Sequence, residues 1–322
     1  MSITVALVGD TMLGREVGPR VATERFDRIV HPTIRDILGS ADVAIVNLEC
    51  CVSDRGDPWR LPGKPFFFRA PPRAAELLAW LGVDCASLAN NHALDYGPLA
   101  LRDTRQHLGN AGVLTVGAGV DVESARAWRV LDAGELRIGV LGITDHPPAF
   151  AAGPDQAGVA YADLRHGVPD WLRQQVTAMA TSVDLAIVTP HWGPNMTTEP
   201  RPYVRSAARV FQDAGADLIA GHSAHLAHGV SGPILYDLGD FIDDYAVDER
   251  LRNDLGFVYV VTVDGEGPTS LETVPIALEF CYTRPAVDVE AEWLRRRFTT
   301  ACAAFGHDVR RTPAGHLVVQ LR

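Results

Sequence analysis

Lysine is almost missing from this chain. Of 29 basic residues in 322, only Lys64 is a lysine and the rest are arginine. Codon bias in a GC-rich genome accounts for such a skew, although arginine also suits bidentate binding of phosphate or carboxylate. No long basic run offsets the net charge of −11. A chain of that balance is a poor partner for nucleic acid or an anionic membrane surface, so neither is expected. Cysteine is scarce too: Cys50, Cys51, Cys85, Cys281 and Cys302 are odd in number, two are adjacent, and no CxxC occurs. That argues against a disulfide framework and a thiolate zinc site. No apolar run approaches the ~18 residues of a membrane span. The opening residues MSITVALVGD turn polar too early for a signal peptide. The expectation is a soluble, cytoplasmic protein with no membrane span. Repeats and low-complexity stretches are missing as well, and 47% of residues are apolar and 21% charged. This excludes fibrous and disordered classes and allows a large core.

What is present is alternation. Short β-rich apolar runs recur at Ile3–Val8, Val43–Val46, Val83–Leu88, Leu136–Ile143, Leu185–Thr189, Leu218–Ala220, Ile234–Leu238 and Phe257–Val263. Near-continuous Val, Ile, Leu and Ala suit strands buried on both faces. Helical patterns at Pro71–Trp80, Pro98–Leu108, Val168–Met179 and Tyr203–Asp213 lie between several of them. The alternation predicts α/β architecture. Residues 54–72 and 145–160 read as long loops, which beside a compact core often carry function. One domain is expected over residues 1–285. Residues 286–322 would add a helix at Val287–Phe305 and a strand at Leu317–Leu321, packed on that domain.

Chemistry collects where the apolar runs end. They exit into Gly9-Asp10, Asn47-Leu48-Glu49, Asn90-Asn91-His92 with Asp95 beyond, His191-Trp192, His222-Ser223-Ala224-His225, and Gly239-Asp240. The carboxyl ends of strands form the ligand crevice of open α/β sheets. Singly, each is ambiguous: Asp10 suits a turn or cap, Glu49 a solvated end, His191 a satisfied core histidine. Jointly, six exits deliver metal-ligand residue types to one edge. Carboxylate, amide and imidazole donors without thiolate suit Mn, Fe, Zn or similar divalent ions. Asp10, Glu49, Asn91, His191, His222 and His225 exceed the need of one tetrahedral ion and match that of a two-metal centre.

The ordered set GDTMLGR at 9–15, NLE at 47–49, NNHALDYG at 90–97, HWG at 191–193, GHSAH at 221–225 and LYDLGDF at 235–241 resembles the CapA family. These are poly-γ-glutamate capsule biosynthesis proteins of the calcineurin-like metallophosphoesterase superfamily. The resemblance covers about residues 3–245. It implies a four-layer α/β/β/α sandwich of the metallophosphoesterase type with a dinuclear site at one edge. Glu49 would bridge the two divalent ions, Asp10 and His225 would hold one, and Asn91, His191 and His222 the other. His92 would protonate the leaving group or steady the transition state, with Asp95 orienting its ring. Arg15 would bind an anionic group of the substrate or face solvent. Asn47, Asn90, Trp192, Asp240 and His146 are candidates to line the substrate pocket. Asp145, His146 and His228 have no motif support, and loop or surface roles suit them better than a place in the pocket. The chain departs from the family's habits at Asn195 where a Glu is common, at GHSAH for GHHPH, and at Gly239-Asp240-Phe241 for GNF, which Asp243 and Asp244 follow.

The implied activity is hydrolysis by a hydroxide activated between the ions, on a phosphoester or a γ-glutamyl-type amide or ester of an anionic small molecule or polymer. The competing expectations are a non-catalytic or assembly partner in polymer synthesis, and a tailoring enzyme for a small biosynthetic product.

Overall fold

Successive residues of a strand point to opposite faces, and in this chain both faces are apolar. In the first strand, β1 (Ile3–Thr11), Val5 and Leu7 face one way and Ala6 and Val8 the other, all buried. The same holds for β2 (Val43–Leu48), which pairs in parallel with β1. The computed structural model describes residues 2–59 and 64–322; part of the long loop expected at 54–72 therefore lies outside the described residues. A ten-stranded sheet forms around β1 and β2. It continues on one side through β3 (Cys85–Ser87) and β4 (Leu114–Val116). A six-stranded sheet contains β5 (Arg129–Ala133), β6 (Leu136–Thr144), β7 (Leu185–His191) and β8 (Leu218–Ala220).

The faces settle the layering. Val5, Leu7, Val43 and Ile45 share one apolar cluster with Ile138, Val140, Leu185, Ile187 and Leu218, so the two sheets pack face to face. Ala6, Val8, Ala44 and Val46 instead meet Ile34, Leu38, Leu77, Leu101 and Leu108, which lie on helices α1 (Pro32–Ser40), α2 (Ala74–Trp80) and α3 (Gly97–Asn110). Leu141, Ile143, Ala186, Val188 and Ile219 meet Leu172, Val176, Ala208 and Phe211 of α4 (Asp170–Ala180) and α5 (Pro202–Asp213). The result is the four-layer α/β/β/α sandwich. Each fully buried Leu, Ile or Phe in it contributes roughly 1.5–3 kcal/mol before chain entropy is set against it.

The other side of β1 departs from the sequence reading. After β9 (Asp240–Ile242), the run at Phe257–Val263 extends to β10 (Leu255–Asp264), antiparallel to β1. Next comes β11 (Gly267–Glu279), the longest strand, which periodicity did not reveal. Its Gly267, Pro268 and Pro275 mimic turn signals, yet its inner positions are buried between β10 and the last strand, β12 (Leu317–Gln320). The run at Ile234–Leu238 holds only a two-residue strand, because Asp237 accepts the backbone N–H groups of Ala224 and Gly239 and ends the ladder. The tail helix α6 (Asp288–Ala303) inserts Leu294, Phe298 and Cys302 into the core between the sheets. Among the described residues, no helix is long and apolar enough to cross a membrane.

Candidate metal centre

Strands of both sheets end at the same edge. Asp10 lies near the end of β1, Asn47 in β2 with Glu49 just past it, His191 ends β7, and His222 and His225 follow β8. A backbone bridge joins His191 to His222 across the tips of β7 and β8. Glycine makes the closest approach possible: a Cβ on Gly9 would sit 1.9 Å from the Gly239 carbonyl oxygen. That carbonyl accepts the Asp10 N–H at 2.8 Å, which draws β1 against β9 and brings Asp240 beside Asp10. Ser223 and His225 adopt positive φ, 104° and 59°. This left-handed backbone is disfavoured for residues with a side chain and is held here by the surrounding fold.

Asp10 is the hub. Its Oδ1 accepts from Asn47 Nδ2 at 2.7 Å and lies 3.3 Å from His222 Nδ1 and 4.0 Å from His191 Nδ1. Its Oδ2 lies 3.4 Å from His225 Nδ1 and accepts the Ser223 N–H at 3.2 Å. His191 Nε2 is 3.8 Å from Glu49 Oε1. Donor atoms of Asp10, Glu49 and His191 all lie within 4.8 Å of one another, as do those of Asp10, His225 and Asp240. Five of the six residues expected as ligands thus converge in a buried cluster. The sixth, Asn91, follows Asn90, whose side chain is tied to Asn47 and Leu48.

The electrostatics are those of an excess of buried negative charge. Burial, reinforced by Asp10, pushes Glu49 well above the usual carboxylate range. Burial does the same to Asp237 and Asp243, again with a neighbouring carboxylate adding to it. Burial raises Asp240 to about 6 although His225 pulls the other way. Asp10 goes down: the imidazoles of His222, His191 and His225 outweigh its own burial. His225 is raised because Asp240 and Glu49 overcome its burial, whereas burial dominates at His191 and lowers it. Several buried atoms have no hydrogen-bond partner among the described residues: Glu49 Oε1, Asn91 Oδ1, His222 Nδ1, Asp240 Oδ2 and Asp243 Oδ2. Buried polar atoms are seldom left so. Hard oxygen donors and imidazoles, anionic in sum and unsatisfied, fit divalent cations.

His92 stands beside this cluster. Its Nδ1 is 2.6 Å from Asp95 Oδ2, its backbone N–H donates to Asn90 Oδ1, and Phe68 stacks on its ring at 3.9 Å. Burial lowers it to about 4 against the pull of Asp95. His146 is bonded to Asp145, and its ring centroid is 5.2 Å from that of His191, so the proline-rich loop does reach the cluster. Asp145 is itself pinned by the Gly193 N–H and the Tyr203 hydroxyl.

Other candidates are placed differently. The Trp192 indole is buried against Phe211 on the helix side and donates to the Tyr236 carbonyl at 2.9 Å, which makes it a packing group. Asn47 and Asn90 are fully buried and direct their amides to each other, to Asp10 and to Leu48. Arg15, half-exposed, pairs with Asp244 at 3.3 Å. His228 is buried on the Thr197 carbonyl. Reading the sequence missed Lys64, which pairs with Asp95 at 2.9 Å, and Tyr245, whose hydroxyl reaches Glu49 Oε2 at 3.3 Å. The uniqueness of Lys64 was the one available signal for the first; nothing local marked the second.

Comparison with known proteins adds the following. Residues 4–245 match the family model described as bacterial capsule synthesis protein PGA_cap. The chain is 29% identical to a probable polyglutamine synthesis accessory protein of Mycobacterium tuberculosis, over 94% of this chain and 92% of that one. It is 29% identical to the capsule biosynthesis protein CapA of Bacillus anthracis, over 75% of this chain and 60% of that one. A solved structure of a hypothetical protein from Thermus thermophilus aligns with a TM-score of 0.48 at 14% identity, over 85% of this chain and 98% of that one.

Proposed function

This chain belongs to the PGA_cap family of bacterial capsule synthesis proteins, and from that membership we propose that it is a divalent-metal-dependent hydrolase of the metallophosphoesterase kind. The observation that carries the reading is the buried donor cluster at the shared sheet edge, with its surplus of carboxylates and its unsatisfied Glu49 Oε1 and His222 Nδ1. Asp10 and His225 would hold one ion, Asn91, His191 and His222 a second, and Glu49 would lie between them. Asp240, through its contact with His225 and Asp10, belongs to the first group. Two such ions supply Lewis-acid polarisation of the scissile group and bring the pKa of water toward neutrality.

The chain's own groups do the rest. Asn47 holds Asp10 Oδ1, and Ser223 N–H holds its Oδ2, so the hub carboxylate cannot swing away. His92, lowered by burial, rests as a neutral imidazole at pH 7 with Nδ1–H directed to Asp95 and Nε2 free. Negative charge brought by a substrate raises an imidazole beside it. His92 Nε2 would then carry a proton to the leaving oxygen or nitrogen, a general-acid role worth typically 10²–10⁴-fold. A phosphoester or a γ-glutamyl-type amide or ester fits this scheme. The names of the relatives, an accessory protein of polyglutamine synthesis among them, favour a second reading: a partner in polymer assembly that binds metal without turnover.

Elemental analysis of the purified protein beside His191→Ala and His222→Ala is the test. About two transition ions per chain, falling in both variants, is the expected result. Aryl phosphates, phosphodiesters and γ-glutamyl anilides would then be screened. No metal after reconstitution with Mn, Fe or Zn would overturn the proposal. Full loading without turnover would leave the assembly reading.

A further inference from the structure

The single lysine of the chain is not on the surface. The Lys64 side chain is 9% exposed, and its ammonium lies 2.9 Å from Asp95 Oδ1. It also donates to the Asn91 backbone carbonyl at 2.8 Å. Asp95 Oδ2 is engaged twice, by the Phe68 N–H at 2.6 Å and by His92 Nδ1 at 2.6 Å. Lys64 and Phe68 therefore grip the His92–Asp95 pair from one short segment, the first by charge and the second by its backbone and its stacked ring.

These contacts decide the tautomer. An ammonium has no acceptor, so the 3.5 Å approach of Lys64 Nζ to His92 Nδ1 could be a bond only if Nδ1 were bare. Asp95 Oδ2 lies 2.6 Å from Nδ1, and a carboxylate oxygen accepts, so Nδ1 keeps its proton and gives it to Asp95. The compact ammonium of Lys64 thus lies 2.9 Å from one acceptor and 2.8 Å from another. A chain with arginine at every other basic position uses lysine here.

We propose that Lys64 is a positioning residue: through Asp95 Oδ1 and the Asn91 carbonyl it holds His92 with its proton on Nδ1 and Nε2 free. The functional weight of this rests on the hydrolase reading above, in which His92 Nε2 serves the leaving group; the geometry does not.

The test is the histidine side-chain 15N–1H spectrum of the labelled full chain, with His92 assigned by His92→Gln. Wild type is expected to show His92 as one tautomer with a slowly exchanging Nδ1 proton. In Lys64→Met that proton signal is lost or broadened and the ring nitrogens average, while metal content stays at wild type. On any hydrolysed substrate, kcat falls about 10- to 100-fold, as for other groups that orient a functional histidine, at unchanged KM. Lys64→Arg keeps the charge and retains the Nδ1 proton with part of kcat. An unchanged His92 spectrum in Lys64→Met overturns the proposal. So does a rise in KM alone, which would make Lys64 a substrate contact. If Lys64→Met does not fold, loss of the Nδ1 proton in Lys64→Arg overturns it instead. The spectrum needs no substrate, so an inactive wild type would count against the hydrolase reading and leave this test standing.

Discussion

Asp240→Asn exchanges a charge for an amide at nearly constant shape. Asp240 is buried, with Oδ1 2.7 Å from His225 Nδ1 and Oδ2 without a partner among the described residues. Burial raises its pKa from 3.8 to about 6, with Asp10 adding to the rise and His225 opposing it. The folded protein thus holds a proton on Asp240 between about pH 4 and 6 that the unfolded chain has released. Stability from this source is complete below the unfolded value and lost as pH rises through the folded one. The difference corresponds to on the order of 3 kcal/mol, at about 1.4 kcal/mol for each tenfold change in proton affinity. Asparagine carries no such cost. Metal-free Asp240→Asn should therefore melt higher than wild type above pH 6, and close to it near pH 4. With an unfolding entropy of about 2.1 cal/mol/K per residue, 3 kcal/mol over this chain is a shift of about 4 °C. Circular dichroism melts of chelated protein from pH 4 to 8 would show it. Metal loading should reverse the order, because a bound cation turns the carboxylate from a liability into a partner. A variant that is less stable than wild type by the same amount at pH 4 and pH 8 would refute the reasoning. The Asp240–His225 contact would then be a net support in a cluster without surplus charge.

Two further outcomes follow from local geometry. Gly9→Ala, whose Cβ would sit 1.9 Å from the Gly239 carbonyl oxygen, should force β1 and β9 apart and cost more than about 3 kcal/mol. Gly39→Ala, on α1 with nothing within 4 Å of the new Cβ, should gain about 0.5–1 kcal/mol. Urea denaturation measures both, and equal effects would contradict the close approach at Gly9. His92→Ala should lower kcat by about 10²–10⁴-fold while elemental analysis finds wild-type metal. Joint loss of metal and activity would make His92 a ligand or a determinant of the fold.

The donors were legible in the sequence because a strand reports its own exit. Asp10, Glu49, His191, His222 and His225 each sit at or just beyond the end of an apolar run, and parallel strands send such ends to one edge. Asp240 was legible as a neighbour of the cluster but not in its contact with His225. That contact depends on β9 lying against β1, a pairing that turns on Gly9 and Gly239. Trp192 shows the converse. It follows His191 directly, and adjacency in sequence suggested a shared site. A one-residue step along a strand end turns a side chain to the opposite face, and the indole lies in the helix-side core. Lys64 was invisible because a loop rich in proline and phenylalanine has no period from which its path can be read. Strand β11 was hidden by its Gly and Pro residues, whose cost is met by pairing on both sides.

Of the departures from the family pattern, the one at Gly239-Asp240-Phe241 reaches the donor cluster. Aspartate at 240, where asparagine is common in the family the chain resembles, adds a carboxylate beside Asp10. Asp243 and Asp244 follow it into the interior. Arg15 answers Asp244, but the positive charge nearest Asp240 is His225, which is raised as Asp240 and Glu49 demand. One imidazolium does not balance Asp10, Glu49 and Asp240 together, and burial pushes Glu49 and Asp240 above the usual carboxylate range. A cation held there, as proposed, would compete with protons for these carboxylates, and its affinity would rise with pH. Trading an amide for a carboxylate also moves the donor set toward the hard, oxygen-rich end. In the proposed metal centre, the carboxylate at 240 would thus add a donor on the side of Asp10 and His225.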